Sequence, residues 1–577
     1  MTTPLLSLSR KSLVVFGLLV AGSFPGVRAD VKMPGIFGDH MVLQQGAKLP
    51  VWGWAAPGET VTVTFAGQTA STTGDADGKW RVDLAPASAS DQGQVLTVAG
   101  KNTLAFQDVL VGDVWLASGQ SNMELGIESD SRGAEAIAKA NDPQLRLFIV
   151  PGAYSMGKPL TDLSATSANS PVGKWHVCTP QFLDTKLGGH NFSAAGYYFA
   201  REIRRVTGKP VGMIASYVGG TPAESWTSLS GLEKDPRLNN YIEAHQKQLD
   251  AYPAAMATYP QKQAGYQAAL KAWNASDEGK AYNDAITQWK IVVTQANAAG
   301  QTPPPRPPAP KTFPKGPAAP DGGNHVPSSL FNGMIAPLIP YAIKGVIWYQ
   351  GESNGSPTAN AQEYAILFPR MITDWREKWG EGDFSFLFVQ LANFMAPPKS
   401  ASEGNWPWVR DAQLKALSLP NTGMASAIDV GNPINIHPTD KLDVGLRLAL
   451  AARHLVYGEK DLVYSGPIYD SMTVEGNKIR LTFKNRGSGL ALGTAPWTPT
   501  GIPPTPPTEL TGFGIAGADQ KFVWAKAIID GDTVVVTSDQ VPAPVAVRYD
   551  WANDPTGELY NKEGLPASPF RTDPWYK

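Results

Sequence analysis

Five apolar strands separated by helical segments dominate the middle of this sequence, and they restrict the folds that it can adopt. Each strand is almost continuously apolar, as strands are when helices cover both faces of a parallel sheet. Ser193 is placed to cap one intervening helix, and a later helix is predicted from Asp440 to Tyr457. We therefore predict an α/β core built on a parallel five-stranded sheet. The strands are predicted at 109–117, 211–217, 343–349, 384–391 and 424–428.

Short alternating strands flank this core on both sides. They predict a β-sandwich-like domain over residues 30–107 and a second β-rich domain over residues 459–577, with the core domain at 108–458 between them. Within the core, residues 236–324 are rich first in Ala, Gln and Lys and then in Pro, which predicts a helical insertion with an extended return. The flanking strands are predicted at 51–54, 60–65, 79–84, 94–98, 478–483, 523–528 and 533–537, and a proline run at 502–507 interrupts the last group.

Residues 1–29 have the features of a signal peptide. Arg10 and Lys11 precede an apolar run at 13–21, which is too short to span a bilayer as a permanent anchor, and cleavage is predicted after Ala29. The whole chain carries 49 Lys and Arg against 51 Asp and Glu, and this mildly acidic balance argues against nucleic acid or an anionic membrane as a partner. We expect an exported protein, either periplasmic or secreted.

The cysteine and histidine content limits the disulfides and metal sites that this chain can form. A single cysteine, Cys178, excludes an intramolecular disulfide. The sequence has no Cys/His cluster and no His-Glu-x-x-His motif, so we predict neither a metal site nor a cofactor. Its 17 tryptophans suit sugar binding, although most tryptophans in proteins belong to cores.

The first core strand ends in a Ser-Gly-Gln-Ser-Asn turn that contains Ser121. A sharp turn at the carboxyl end of a strand lifts a serine clear of the sheet, where a base can take its proton. By itself the motif is equally compatible with Ser121 as a helix cap. The remaining unusual motifs also follow core strands, and ligands of open α/β sheets bind at that edge. This shared location favours a catalytic serine.

We expect the base and the oxyanion donors that act with Ser121 at the same edge of the sheet. Of the seven histidines, only His437 lies on a loop after a core strand and just before a helix, which makes it the candidate base; the alternative is an ordinary surface histidine. An acyl-transfer oxyanion also needs hydrogen-bond donors. The N–H groups of Ser121 and Gly219 and the side-chain amide of Gln350 are the predicted donors. Glycine at 219 permits close approach or a positive φ.

Three blocks of this sequence resemble signature blocks of the sialate O-acetylesterase-type enzymes of the SGNH hydrolase superfamily. The blocks are Gly119-Gln120-Ser121-Asn122-Met123, Trp348-Tyr349-Gln350-Gly351-Glu352-Ser353-Asn354 and His437-Pro438-Thr439-Asp440-Lys441. Segments 219–226, 331–338 and 570–573 are also similar to the family, so the likeness extends from about Val31 to the C-terminus. The resemblance implies a flavodoxin-like core, metal-independent ester hydrolysis and a small acyl group, usually acetyl, on a sugar.

The chain departs from this family pattern beside the histidine. Many members carry an aspartate shortly before it, whereas Asn435 stands here and cannot balance the charge of an imidazolium. Either a Ser-His dyad suffices or another carboxylate serves. Glu352 is the favoured candidate, ahead of Asp429 and Asp440. Glu352 is about equally suited to holding its own loop by pairing with backbone or an arginine.

The predicted function is a secreted serine esterase that removes O-acetyl groups from glycans. Acetylated hemicellulose of the xyloglucan or xylan type is the favoured substrate, because low charge and tryptophan-rich loops suit neutral chains. The alternative is a sialate O-acetylesterase, in which Arg410 would bind the sugar carboxylate through two hydrogen bonds. A non-catalytic carbohydrate-binding protein is a more remote alternative. The predicted substrate contacts are Asn122, Trp406, Trp408 and Arg410.

Overall fold

The computed structural model describes residues 30–186, 191–298, 304–494 and 507–575. The predicted signal peptide, residues 1–29, lies outside the described residues. The same holds for His190 and for all but the last residue of the proline run at 502–507.

Two β layers form the N-terminal region. β2 pairs with β5, while β3, β4 and β6 form a second layer together with β7. Side chains alternate between exposed and buried along β3 and β5, and the buried ones of both layers join the main core. β4 was not predicted because its residues are polar or small. The strands are β1 (Val42–Gln44), β2 (Leu49–Trp54), β3 (Thr60–Phe65), β4 (Gln68–Thr73), β5 (Lys79–Leu84), β6 (Ser90–Ala99) and β7 (Thr103–Gly119).

The long strand β7 connects this region to the core. Its first part pairs with β6, and its second part lies between two strands of the central sheet. Side chains along it change from alternating exposure to complete burial at Val109. The predicted domain boundary at residues 107 and 108 therefore falls inside one continuous strand.

The central sheet is mixed and has seven strands, whereas we predicted a parallel sheet of five. Its order is β13-β12-β11-β7-β10-β8-β9, with six parallel strands and β9 antiparallel at the edge. The five predicted strands are neighbours within it, in the order of a flavodoxin-like sheet. β8 was not predicted because it begins Asp-Pro-Gln and contains Arg146. The Arg146 guanidinium is buried and donates to the carbonyls of Pro143 and His40. The further strands are β8 (Asp142–Ile149), β9 (Trp175–Cys178), β10 (Val211–Tyr217), β11 (Gly345–Tyr349), β12 (Ser385–Gln390) and β13 (Thr422–Ser426).

Two helices begin at the capping residues that the sequence predicts. Ser193 Oγ accepts the N–H of Gly196 at 3.0 Å, and Asp440 caps the last helix through the N–H of Asp443. α6 and α7 form the predicted helical pair of the insertion. None of the described helices is long and apolar enough to cross a membrane. The helices are α1 (Ser121–Glu124), α2 (Gly133–Ala138), α3 (Pro180–Leu183), α4 (Ala194–Thr207), α5 (Leu229–Leu232), α6 (Asn239–Ala275), α7 (Asp277–Ala298), α8 (Thr358–Trp379), α9 (Trp406–Lys415) and α10 (Lys441–Leu455).

The C-terminal region is β-rich, as predicted, and has a hydrophobic core of its own. Two four-stranded sheets and one strand pair build it within the described residues. The strands are β14 (Ile468–Glu475), β15 (Lys478–Lys484), β16 (Leu490–Leu492), β17 (Phe513–Ala516), β18 (Val523–Trp524), β19 (Lys526–Asp530), β20 (Thr533–Thr537), β21 (Ala546–Tyr549), β22 (Leu559–Asn561) and β23 (Phe570–Arg571).

Candidate active site

Ser121 lies in a tight turn at the carboxyl edge of the central sheet. β7 ends at Gly119 and α1 begins at Ser121, so a single residue, Gln120, separates strand from helix. Gly119 has φ +135°, and a Cβ there would lie 2.2 Å from the carbonyl oxygen of Tyr349, so only glycine fits. The N–H of Gln120 donates to the same carbonyl at 3.0 Å. These contacts hold the turn against the end of β11.

The structure brings Ser121 and His437 together. His437 Nε2 lies 2.8 Å from Ser121 Oγ, and both residues are half-buried. The alternative role of Ser121 as a helix cap is absent, because Gln120 occupies the N-cap position of α1 and no side chain caps that helix. This is the geometry that a general base needs to take a proton from a serine hydroxyl.

The loop that carries His437 is held by the segment that follows α1. The backbone N–H of Lys441 donates to Asp130 Oδ2 at 2.8 Å, and Asp440 forms an ion pair with Arg132. Nucleophile and base are thus connected through neighbouring segments as well as through their own contact.

Glu352 was the favoured carboxylate partner of His437, but within the described residues its carboxyl group forms no hydrogen bond with the imidazole. Its Oε1 accepts a hydrogen bond from Asn122 Nδ2 at 2.5 Å, while Oε2 has no hydrogen-bond partner among the described residues. Asn122 Nδ2 also donates to the carbonyl of Ile436 at 3.0 Å. Among the described residues, Asn122 links Glu352 to the backbone just before the histidine.

Lys441 completes a network that was not predicted. Its side chain is fully buried, and Nζ donates to Asn122 Oδ1 at 2.7 Å and to the carbonyl of Pro438 at 2.7 Å. Burial lowers the pKa of Lys441 to about 7 and raises the pKa of Glu352. Asn122 is itself buried with its amide fully engaged, so it bridges these two charges rather than contacting substrate.

The other residues considered as partners of the histidine are also engaged elsewhere. Asp429 forms a buried ion pair with Arg447, at 2.5 Å, and Asp440 forms its ion pair with Arg132. Asn435 Oδ1 accepts the backbone N–H of His437 at 3.0 Å. Asn435 therefore positions the backbone of the loop and leaves the imidazole to other contacts.

Gly219 lies against the serine, as the close-approach interpretation requires. A Cβ at Gly219 would be 3.3 Å from Ser121 Cβ, whereas the positive φ, +74°, belongs to Gly220. Neither the N–H of Ser121 nor that of Gly219 donates to another described residue. Both are therefore free to serve as the predicted oxyanion donors.

Gln350 cannot supply the third predicted donor. It is fully buried, and its Nε2 donates to the carbonyl of Thr221 at 3.2 Å and to Asn354 Oδ1 at 2.7 Å. Its Oε1 accepts the hydroxyl of Tyr364 at 2.8 Å. Both N–H groups are thus already used inside the protein, and the prediction was wrong on this point.

Asn354 is a residue of this edge that the sequence reasoning missed. Its Oδ1 accepts the N–H of Ala223 at 3.0 Å as well as the amide of Gln350, and its Nδ2 donates to Glu224 at 2.9 Å. These bonds join the loop after β10 to the loop after β11. The available signal was its place at the end of the 348–354 block.

For Gln350→Ala we expect a loss of stability rather than a selective loss of catalysis. The change leaves the buried Thr221 carbonyl without its side-chain donor, removes one of the two donors to Asn354 Oδ1 and takes away the acceptor of the Tyr364 hydroxyl. We expect this to cost about 2–4 kcal/mol of unfolding free energy. Urea denaturation measures this effect. A native unfolding curve with kcat reduced by ~10²-fold would instead identify Gln350 as an oxyanion donor.

Arg410, Trp406 and Trp408 do not form a substrate platform. Arg410 is 0% exposed, and burial lowers its pKa to about 9. Trp406 is buried at the start of α9, and Trp408 packs edge-to-face on Trp551 with ring centroids 5.1 Å apart. All three lie where the core meets the C-terminal region. The guanidinium of Arg410 donates to the carbonyls of Leu391, Ala392, Ala552 and Asn553.

Arg410→Lys is expected to destabilise the protein without a specific effect on KM. Lysine keeps the charge but lacks the planar fork that reaches four carbonyls, so we expect a loss of about 2 kcal/mol or more. Thermal unfolding, together with KM for an acetylated sugar, checks this expectation. Unchanged unfolding with a raised KM would restore Arg410 as a substrate contact.

Comparison with known proteins identifies the family. A family model described as carbohydrate esterase, sialic acid-specific acetylesterase, matches residues 327–455, which include Glu352, Asn354 and the His437–Lys441 block. Sialate O-acetylesterase from mouse is 30% identical over 489 residues, which cover 79% of this chain and 79% of the mouse protein. The chain belongs to the sialate O-acetylesterase family.

Other relatives agree with membership of the sialate O-acetylesterase family. The human sialate O-acetylesterase is 30% identical over 480 residues, which cover 77% of this chain and 75% of the human protein. A carbohydrate acetylesterase from Xanthomonas citri, known from its crystal structure, is 37% identical, with a TM-score of 0.71 and coverage of 95% of this chain and 100% of that one. The chain is therefore a carboxylic ester hydrolase, which removes the non-catalytic alternative. Within the described residues, no group of three or more His, Cys, Asp or Glu side chains is placed to hold a metal.

Proposed function

We propose that this protein hydrolyses O-acetyl esters of sialic acids, with Ser121 as nucleophile and His437 as base. The 2.8 Å contact between Ser121 Oγ and His437 Nε2 carries the proposal, because it supplies the base that a serine hydroxyl needs. Sialic acid as the sugar is supported by the mouse and human relatives, both named sialate O-acetylesterase. The proposed substrate therefore differs from the acetylated hemicellulose that low charge and tryptophan-rich loops favoured.

The proposed reaction has two steps. Ser121 Oγ attacks the acetyl carbonyl while its proton passes to His437 Nε2, and the N–H groups of Ser121 and Gly219 stabilise the oxyanion. The tetrahedral intermediate collapses with breakage of the ester C–O bond, and the imidazolium returns the proton to the sugar oxygen. Water, deprotonated by His437, then attacks the acetyl-serine, and acetate leaves as Ser121 recovers its proton.

A second candidate substrate, a neutral acetylated glycan of the hemicellulose type, is favoured by the burial of Arg410. That burial removes the carboxylate receptor that the sequence suggested for sialic acid.

Acetate release from three substrates separates the two candidates. The full-length protein is assayed on 9-O-acetylated sialic acid, acetylated xylan and acetylated xyloglucan, with 4-nitrophenyl acetate as a test of esterase activity and Ser121→Ala as the blank. We expect the highest kcat/KM on the sialate. A higher kcat/KM on either plant polysaccharide would overturn sialate in favour of the second candidate.

We also propose that the protein is exported to the periplasm or the medium. The features of residues 1–29 support this, and cleavage after Ala29 would give a mature chain that begins at Asp30. Mass spectrometry of the protein expressed from its full-length gene checks the new N-terminus. An intact N-terminus on the cytoplasmic protein would contradict export.

A further inference from the structure

A cavity of about 250 Å³ lies between the C-terminal region and a loop of the core. Pro398 and Ala401 line it from the core side, in the loop that follows β12. This loop also contacts the loop that carries His437, because the N–H of Met395 donates to the carbonyl of Pro433 at 3.0 Å. The loop that lines the cavity therefore leaves the central sheet at the same edge as the Ser121–His437 pair.

A buried carboxylate lines this cavity. Asp550 is 2% exposed, and neither of its oxygens is hydrogen-bonded to a described residue. Burial raises the pKa of Asp550 to about 8, and the nearby Tyr549 hydroxyl, the buried Arg410 guanidinium and the Gly557 N–H oppose that rise. None of these three groups is hydrogen-bonded to the Asp550 oxygens. A buried acid without hydrogen bonds costs free energy, so its retention in a cavity points to a ligand.

The backbone around Asp550 is arranged to place this side chain. Asp550 has φ +49°, an uncommon conformation for a residue other than glycine. Its N–H donates to the carbonyl of Gly512 at 2.9 Å, and a Cβ at Gly512, where φ is +81°, would lie 2.2 Å from Asp550 Oδ1. Only glycine at 512 leaves room for the carboxylate. Residues held in such conformations concentrate at functional sites.

Aromatic and hydroxyl groups complete the lining. Trp524 is 45% exposed at the cavity, and Trp551 is buried in its wall. Thr511 and Thr556 contribute hydroxyl groups. An indole face packs on the C–H face of a pyranose ring, while a carboxyl group, protonated or ionised, forms hydrogen bonds with sugar hydroxyls. The combination suits a neutral sugar better than a metal ion, for which the described residues offer no acidic cluster.

We propose that this cavity is a glycan subsite, in which a neutral sugar residue other than the acetylated one stacks on Trp524 and hydrogen-bonds to Asp550. Its volume suits a single sugar ring. The proposal rests on the proposed function to the extent that the substrate is a glycan, and it extends recognition beyond the sugar that loses its acetyl group.

Binding of oligosaccharides by the full-length protein tests the subsite. Xylohexaose, cellohexaose and 3′-sialyllactose are titrated calorimetrically into wild type, Trp524→Ala and Asp550→Asn. Asparagine keeps the shape of Asp550 and tolerates a positive φ. Ile528→Ala is the matched control, because Ile528 is 52% exposed in the same region and does not line the cavity.

We expect wild type and the control to bind at least one of these probes equally well. Trp524→Ala should weaken that binding by about tenfold or more, and Asp550→Asn should weaken it as well. The kcat/KM of Trp524→Ala on 4-nitrophenyl acetate should equal that of wild type, because the variant keeps Ser121, His437 and the contact between them.

Two results would overturn the subsite: no probe binds wild type, or Trp524→Ala binds every probe as wild type does. If Asp550→Asn fails to fold, the exposed Trp524 still decides the question. Failure of the proposed function is distinguished by a separate result, the absence of 4-nitrophenyl acetate hydrolysis that depends on Ser121.

Discussion

Replacement of Ser121 by alanine is expected to abolish ester hydrolysis while the fold remains intact. The change removes the hydroxyl that contacts His437 Nε2 at 2.8 Å, and with it the only group at this turn proposed to form the acetyl-enzyme. Loss of the nucleophile in serine hydrolases lowers kcat by a factor on the order of 10⁴–10⁶. Hydrolysis of 4-nitrophenyl acetate measures the effect.

The same substitution should leave stability within about 0.5 kcal/mol of wild type. Ser121 Oγ does not cap α1, so no helix terminus loses its hydrogen bond. Thermal unfolding provides this control. A variant with native unfolding that retains more than about 1% of kcat would remove Ser121 from the mechanism.

Lys441→Met is expected to produce the largest loss of stability among single substitutions near the site. The lysine is fully buried and donates to Asn122 Oδ1 and to the carbonyl of Pro438. Its removal leaves Glu352 without its cationic counterpart in a low-dielectric environment, which costs about 3–5 kcal/mol. The loop that carries His437 loses an anchor at the same time, so kcat should fall as well.

The double variant Lys441→Met/Glu352→Gln should recover part of the lost stability, because no isolated carboxylate remains. Urea denaturation of wild type, both single variants and the double variant measures this coupling. Lys139→Met is the matched control, since Lys139 is 73% exposed and should change stability by less than about 0.5 kcal/mol. Additive losses from the two single substitutions would contradict an interaction between Lys441 and Glu352.

Glu352→Gln by itself decides between two roles for this residue. If Glu352 acts only through Asn122, kcat should fall by about tenfold or less, because the glutamine carbonyl can still accept the Asn122 amide. A carboxylate that directly balances a catalytic histidine is worth ~10⁴ in kcat. A loss of that size with native stability would show that Glu352 serves as the anionic partner of His437.

The sequence by itself determined the elements whose signals are local. Unbroken apolar runs identified five neighbouring strands of the central sheet, and β10 was predicted with the bounds that it has in the structure. Capping chemistry located the start of α4 at Ser193. The pairing of Ser121 with His437, 316 positions apart, followed from the rule that the carboxyl ends of parallel strands share one edge. β8 was missed because a buried arginine interrupted its apolar pattern.

Only the tertiary structure decided which polar side chains face substrate and which serve the interior. Arg410, Gln350 and Asn122 have residue types suited to binding, yet all three are buried with internal partners. Those partners come from distant segments of the chain. Arg410 donates to the carbonyl of Ala552, 142 positions away, and Asn122 Oδ1 accepts a hydrogen bond from Lys441 Nζ, 319 positions away. A buried polar group must be matched by donors or acceptors from whatever packs against it. No local pattern contains that information, because the match exists only once the chain has folded.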